Sequence, residues 1–128
     1  MSVLNSSFCK NSAGGDNVKD DDEVGEAGAV SISTCDLSYN GEGGCTVRDT
    51  VFANNHVARK GGAVNIGTGS APSNVEFHRC MMANSTTGIF IEDDLQGEGG
   101  VFNVAPGNRL LVSDSVFIDN YCGNKVHV

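Results

Sequence analysis

The sequence predicts an all-β chain folded as a parallel β-helix, a solenoid of about three to four rungs with loop insertions at its corners. Two short apolar motifs that alternate along the 128 residues carry this prediction. The first occupies residues 3–8, 47–52, 77–82 and 112–117, and the second occupies residues 28–32, 62–66 and 100–104. Since one copy cannot bury its own apolar face, we expect the copies to stack as a single β-helix domain over 1–128, as a segment of a longer solenoid.

The first motif is β-branched or aromatic and too short for a helix, so each copy is predicted to form strand. Its apolar ends lie five positions apart, which strict alternation would place on opposite faces, so a bend must intervene. The third position can supply that bend, because Asn and Asp tolerate the left-handed backbone conformation. This position holds Asn5, Asp49, Arg79 and Asp114, with arginine as the exception. The bend directs a largely aromatic column inward, formed by Phe8, Phe52, Met82 and Phe117.

Two further positions are predicted to shape the corners. Asparagine stands third after the aromatic residue in three copies, at Asn11, Asn55 and Asn120. These side chains either hydrogen-bond along the stack as a ladder or are present only for their backbone tolerance. The glycines that open the second motif, Gly28, Gly62 and Gly100, let the chain turn into a strand without a Cβ clash.

The motifs resemble those of a known family. Gly61-Gly62-Ala63-Val64, together with Phe8-Cys9-Lys10-Asn11, Phe52-Ala53-Asn54-Asn55 and Phe117-Ile118-Asp119-Asn120, resembles the GGA(I/L/V) and FxxN repeats of polymorphic outer membrane proteins, within the pectin-lyase-like group. The resemblance implies a right-handed parallel β-helix. It also implies an extracellular or cell-surface location and a non-catalytic structural or adhesive role.

The net charge and the lack of long apolar runs restrict the classes of partner that the chain can bind. Eight basic and 16 acidic residues give a net charge of −8, which repels phosphate backbones and anionic lipid surfaces. No run approaches the roughly 18 apolar residues of a membrane span. We therefore expect no nucleic acid and no direct membrane insertion. The expected partners are other copies of the chain, flanking β-helix rungs, or a host or matrix protein or glycan.

The only predicted metal ligands are carboxylates in the acidic insertions between the motifs. Carboxylates are the ligands that calcium prefers, and the calcium candidates are Asp20, Asp22, Glu23, Asp93 and Asp94. Bridging of these loops by Arg59 and Lys60, or a merely solvated acidic loop, explains the same charges. No other cofactor is expected.

Catalysis is not expected, although enzymes on this fold act on acidic polysaccharides. Asp93 and Asp94 could form a carboxylate pair, but His56, His78 and His127 share no metal-ligand spacing. The alternative functions are a fragment of a carbohydrate-active β-helix enzyme (a polysaccharide lyase, epimerase or hydrolase) and a calcium-dependent glycan-binding module.

The five cysteines leave Cys9 or Cys122 free, paired between chains or paired outside this segment, and two sequons fit a surface glycoprotein. Cys35 and Cys45 flank a glycine-rich segment and could close it as a disulfide, while Cys80 falls in an inward column and is predicted to be a buried thiol. Asn84 and Asn5 each begin an acceptor sequon for glycosylation.

Overall fold

All regular structure in the described part of the chain is β. A computed structural model describes residues 1–13, 27–35, 44–57, 61–67, 72–87 and 99–123, and it contains 15 strands and no helix within those ranges. Every strand pairing there is parallel. The prediction of an all-β chain with parallel stacked strands is confirmed.

The strands fall into four consecutive units. Unit 1 holds β1 (Ser2–Leu4), β2 (Ser7–Cys9), β3 (Ser12–Ala13) and β4 (Val30–Ile32). Unit 2 holds β5 (Cys45–Arg48), β6 (Val51–Ala53), β7 (His56–Val57) and β8 (Val64–Ile66). Unit 3 holds β9 (Asn74–His78), β10 (Met81–Ala83), β11 (Thr86–Thr87) and β12 (Phe102–Val104). Unit 4 holds β13 (Arg109–Ser113), β14 (Val116–Ile118) and β15 (Tyr121–Cys122).

Each unit adds one strand to each of the sheets it reaches. Sheet A runs β1-β5-β9-β13, sheet B β2-β6-β10-β14, sheet C β3-β7-β11-β15 and sheet D β4-β8-β12. The spacing of the motifs predicts about three strands per rung, and this is wrong, because the complete units have four. The additional strands, those of sheet C, are only two residues long and leave no apolar pattern to read.

The ladder register places equivalent motif residues side by side. Phe8 pairs with Phe52, Phe52 with Met82, and Met82 with Phe117. The members of this column in the inner units are buried, with Phe52 1% exposed, whereas Phe117 in the last unit is 49% exposed. Burial therefore rises toward the middle of the stack, where a unit has neighbours on both sides.

One apolar cluster joins sheets A, B and D. It includes Val47 from sheet A, Met82 from sheet B and Ile66 from sheet D. The aromatic contacts begin along one column and then cross between columns. The rings of Phe8 and Phe52 stack with centroids 5.0 Å apart, and the path continues through three further contacts. These contacts are Phe52–Phe77 at 6.0 Å, Phe77–Phe102 at 4.9 Å and Phe102–Phe117 at 6.1 Å.

The bend between sheets A and B has the left-handed backbone that the sequence predicts. Its four residues have φ values of 48° (Asn5), 51° (Asp49), 50° (Arg79) and 51° (Asp114). Arginine adopts the same conformation as its asparagine and aspartate equivalents. The bend backbone is therefore held by bonds between units, since the Asp49 amide donates to the carbonyl of His78 at 3.1 Å and the Arg79 amide to that of Ser113 at 3.1 Å.

Candidate functional site

The corner between sheets B and C is held by asparagine side chains. Asn55 accepts hydrogen bonds at Oδ1 from the backbone amide (3.2 Å) and the side chain (2.9 Å) of Asn11, and its Nδ2 donates to the carbonyl of Phe8 at 3.0 Å. Asn120 repeats this geometry on the preceding unit, accepting from the Ser85 amide at 2.9 Å and donating to the Met82 carbonyl at 2.8 Å. Each of these amides thus bonds the backbone of the unit before it.

This geometry distinguishes the two roles left open for the asparagines. Asn11, Asn55 and Asn120 do not have positive φ. The left-handed residue at this corner is the one before each of them, and the four corner residues are Lys10 (58°), Asn54 (55°), Asn84 (50°) and Asp119 (50°). Asparagine is therefore required at residues 11, 55 and 120 for its side-chain amide and not for tolerance of a left-handed backbone. At this corner, among the described residues, a direct bond between asparagine side chains joins only Asn11 and Asn55.

Unit 3 interrupts the asparagine column. Ser85 takes the place of asparagine there and is fully buried, and its Oγ has no hydrogen-bond partner among the described residues. The Thr87 Oγ1 two residues later is in the same situation. An unpaired buried hydroxyl costs stability, so this corner of unit 3 is the weak point of the column.

A second amide contact, in sheet D, was not predicted. Asn103 Nδ2 donates to Asn65 Oδ1 at 2.7 Å, and Asn65 is 1% exposed in a strand whose three residues are all buried. The equivalent Asn in two consecutive copies was the available signal, since stacked amides can bond to each other.

Charged side chains at the bend between sheets A and B form an ion pair between units 2 and 3. Arg79 donates through Nε and through its Nη2 atom to the two carboxylate oxygens of Asp49, both at 2.7 Å. These hydrogen bonds lower the pKa of Asp49 below its ordinary value of 3.8 and raise the pKa of Arg79. The exception in the bend column therefore has a reason, because a cation there lies beside carboxylates, including Asp114 of the next unit.

Histidines bridge neighbouring units in the same manner. His78 Nδ1 lies 2.5 Å from Ser113 Oγ, and its Nε2 lies 3.2 Å from Glu76 Oε2. His56 Nδ1 lies 2.8 Å from Thr86 Oγ1 in sheet C. From the sequence, both histidines are interpreted as surface or corner residues and not as catalytic groups. Their hydroxyl partners lie 35 and 30 positions away, so only the register brings them together.

The motif glycines are required by close approach of the backbone. A Cβ on Gly62 would collide with the carbonyl oxygen of Gly100 and lie 3.0 Å from the amide nitrogen of Thr86. Gly28 meets the carbonyl of Gly62 in the same way. The positive φ falls on the glycine before, at Gly61 with 65°. The glycine pair therefore divides two tasks, with the first forming the turn and the second admitting the next unit.

The cysteines occupy three different environments. Cys35 and Cys45 form a disulfide with their Cα atoms 5.6 Å apart, which joins the end of unit 1 to the start of unit 2. Cys80 is a buried thiol that donates to the carbonyl of His78 at 3.4 Å. Cys9 is exposed beside Ser7 Oγ, and Cys122 is half-buried in β15.

Both sequon asparagines lie on exposed bends. Asn5 has φ 48° and Asn84 has φ 50°, and the side chains of both residues face solvent. The sequon threonine Thr86 contacts His56, as described above.

The predicted calcium ligands Asp20, Asp22, Glu23, Asp93 and Asp94 lie outside the described residues, as do Arg59, Lys60 and His127. In the described ranges no group of three or more His, Cys, Asp or Glu side chains is placed to hold a metal ion. No helix in those same ranges is long and apolar enough to cross a membrane.

Comparison of the chain with protein-family models, with curated proteins and with solved structures finds no match. The resemblance to polymorphic outer membrane protein repeats therefore stays a prediction from the motifs.

Proposed function

We propose that the chain is a right-handed parallel β-helix and serves as a non-catalytic structural or adhesive module of a secreted or cell-surface protein. Its outer side chains and loops present contacts for a protein or a glycan. The observation that carries this proposal is that the corner asparagines Asn55 and Asn120 and the Arg79–Asp49 pair join one unit to the next.

The solenoid part of the proposal is supported by the order of the strands. The chain visits sheets A, B, C and D in the same sequence in three successive units, and every strand lies parallel to its equivalent in the next unit. A chain that repeats such a circuit advances by one strand spacing, roughly 4.8 Å, per unit. The right-handed sense comes from the motif resemblance and from the strong preference for right-handed parallel crossovers.

The scaffold role is supported by the partners of the chemically capable groups. Asn55 and Asn120 bond backbone groups of the preceding unit, Arg79 pairs with Asp49, and Cys35 is bonded to Cys45. Groups committed to holding units together are typical of a repeat scaffold. The disulfide also favours an oxidising compartment, which agrees with a secreted or cell-surface location.

A polysaccharide binding and turnover assay tests the non-catalytic role. The full chain is incubated with neutral and uronate polysaccharides, with and without calcium, and both co-sedimentation and new reducing ends or unsaturated products are measured. We expect binding without products. Product formation that is lost in the double variant D93N/D94N would replace this proposal with the carbohydrate-active enzyme.

Location is tested separately through the exposed thiol of Cys9. A membrane-impermeant maleimide added to intact cells that make the protein should label it, and Cys9→Ser should lose most of the label. Labelling only after lysis would exclude the cell-surface part of the proposal.

One observation favours a second candidate, an esterase. Ser113, His78 and Glu76 form a hydroxyl, imidazole and carboxylate chain of the kind that activates a serine nucleophile. The carboxylate is 47% exposed, so water weakens its hold on the ring. A fluorophosphonate probe that labels the wild type and not Ser113→Ala would show that Ser113 is an activated nucleophile, as the esterase requires. Absence of labelling would mean that these three side chains form only a cross-strand hydrogen-bond bridge.

A further inference from the structure

Among the described residues, the last unit presents an unpaired, partly apolar strand edge. Strands β13, β14 and β15 each have only one neighbour in the described sheets, and so do β1, β2 and β3 at the other end. On β14 all three residues are exposed: Val116 is 53%, Phe117 49% and Ile118 43% exposed. Unpaired strand edges are templates for further strand pairing.

We propose that the occupant of this edge is the first unit of a second copy of the chain, which continues sheets A, B and C in the existing register. This inference rests on the proposed scaffold role and names its partner. Continuation of the register places Val112 against Val3 of the second copy and Phe117 against its Phe8. The same columns already join Val47 to Phe77 and Phe52 to Met82 inside one chain.

The backbone groups at the two ends are complementary. Inside the chain, a bend amide donates to the next unit's carbonyl, as Asp49 does to His78 and Asn54 does to Ala83. By the same rule the amides of Asp114 and Asp119 point out of unit 4. The acceptors they need are the carbonyls of Leu4 and Cys9 in unit 1, which occupy the positions equivalent to His78 and Ala83.

Reverse bonds complete the match. The amides of Val116 and Tyr121 donate back to the carbonyls of Cys80 and Ser85. In a junction, Ser7 and Ser12 of the second copy would donate in this way to Ser115 and Asn120. The side-chain amide of Asn11 in the second copy would bond the backbone of unit 4, as the side chains of Asn55 and Asn120 bond the preceding unit within the chain.

Charge points to a second copy in this orientation. Lys10 and Asp119 occupy the first and last places of one corner column, with Asn54 and Asn84 between them, and all four residues have the same left-handed φ. Both charged residues are exposed, and neither forms an ion pair with another described residue. Head-to-tail stacking brings these opposite charges together, whereas head-to-head stacking leaves Lys10 and Asp119 at opposite ends of the assembly.

Sedimentation velocity of the full chain over a range of concentrations, in reductant, tests the junction. We expect concentration-dependent growth for the wild type and about tenfold weaker association for Lys10→Asp and for Asp119→Lys, each of which puts like charges in the junction. An equimolar mixture of these two variants should associate again, because Asp119 then meets Lys10 and Lys at 119 meets Asp at 10. Asn54→Asp changes the charge of the same column away from the ends and should associate as the wild type does.

Two results would overturn the inference. A monomer at every concentration would exclude end-to-end stacking, while leaving the scaffold role to be judged by the polysaccharide and labelling assays. Association that is unchanged in both end variants would place the contact on another surface. Circular dichroism and melting curves of each variant establish that it remains folded.

Discussion

Replacing Ser85 with asparagine should stabilise the protein by completing the column that unit 3 interrupts. In the units on either side, an asparagine bonds an amide and a carbonyl of the preceding unit, as Asn55 does with Asn11 and Phe8. For residue 85, the equivalent groups in the preceding unit are the backbone amide of Asn55 and the carbonyl of Phe52. The register aligns Ser85 with Asn55, because their neighbours Thr86 and His56 are paired.

The size of the effect follows from the two new hydrogen bonds. Each contributes about 0.5 to 1.5 kcal/mol net, and ordering the asparagine side chain opposes them by up to about 1 kcal/mol. The change also removes the buried, unpaired Ser85 hydroxyl. We expect a gain of about 1 to 2 kcal/mol in the free energy of unfolding, or a rise in Tm of about 3 to 8 °C.

Urea and thermal unfolding of three variants separate hydrogen bonding from filling of space. Ser85→Asn should be more stable than the wild type, whereas Ser85→Leu supplies a similar shape without the amide and should not be. The converse change, Asn55→Ser, should destabilise by about 1 to 2 kcal/mol. The reasoning is refuted if Ser85→Asn is no more stable than the wild type, or if leucine stabilises as much as asparagine.

Other sites allow equally direct tests. Phe52→Ala removes a ring that is 1% exposed and should cost about 3 to 5 kcal/mol in urea unfolding, while Phe117→Ala at the half-exposed end should cost clearly less; equal losses would contradict the stacking order. Because the bond from Arg79 lowers the pKa of Asp49, the pair stabilises the fold above pH 3.8 and that stabilisation is lost as pH falls through the lowered pKa. The Tm of Asp49→Asn should therefore lie below that of the wild type at neutral pH and converge with it in acid; a constant difference would show that the charge is not the cause. Gly62→Ala forces a Cβ into a backbone carbonyl of the next unit and should lower Tm or prevent folding, whereas a Tm like that of the wild type would mean that the units are farther apart.

The sequence was sufficient for the features that repeat in phase. The common spacing of Val47 and Phe52 with their equivalents predicts the shared columns, and the short polar residue at Asp49 predicts the left-handed bend. These features depend on local chemistry that each copy of the motif contains. Periodicity therefore identified the parallel stack without a helix or a long strand to support it.

The contacts between units could not be predicted in the same way. Arg79 contradicts the bend preference until its distance to Asp49 is known, and that distance depends on the register. His78 and Ser113 are 35 positions apart, so no local pattern connects them. The strand at His56–Val57 is too short to produce a period. The register sets equivalent motif positions beside each other whatever the length of the loop between them, but the motifs do not encode which of the facing polar side chains bond.

The polar contacts also determine which unit stacks on which. Phe8, Phe52 and Phe117 are chemically alike, so apolar packing alone would tolerate several orders of the units. The contact of Arg79 with Asp49 can form only between units 2 and 3, where the amides of Asn103 and Asn65 also meet. An exchanged unit would leave a buried amide without a partner, which costs more than a small mismatch between apolar side chains. The apolar columns thus supply most of the stability, while the polar columns make one order of units the most stable.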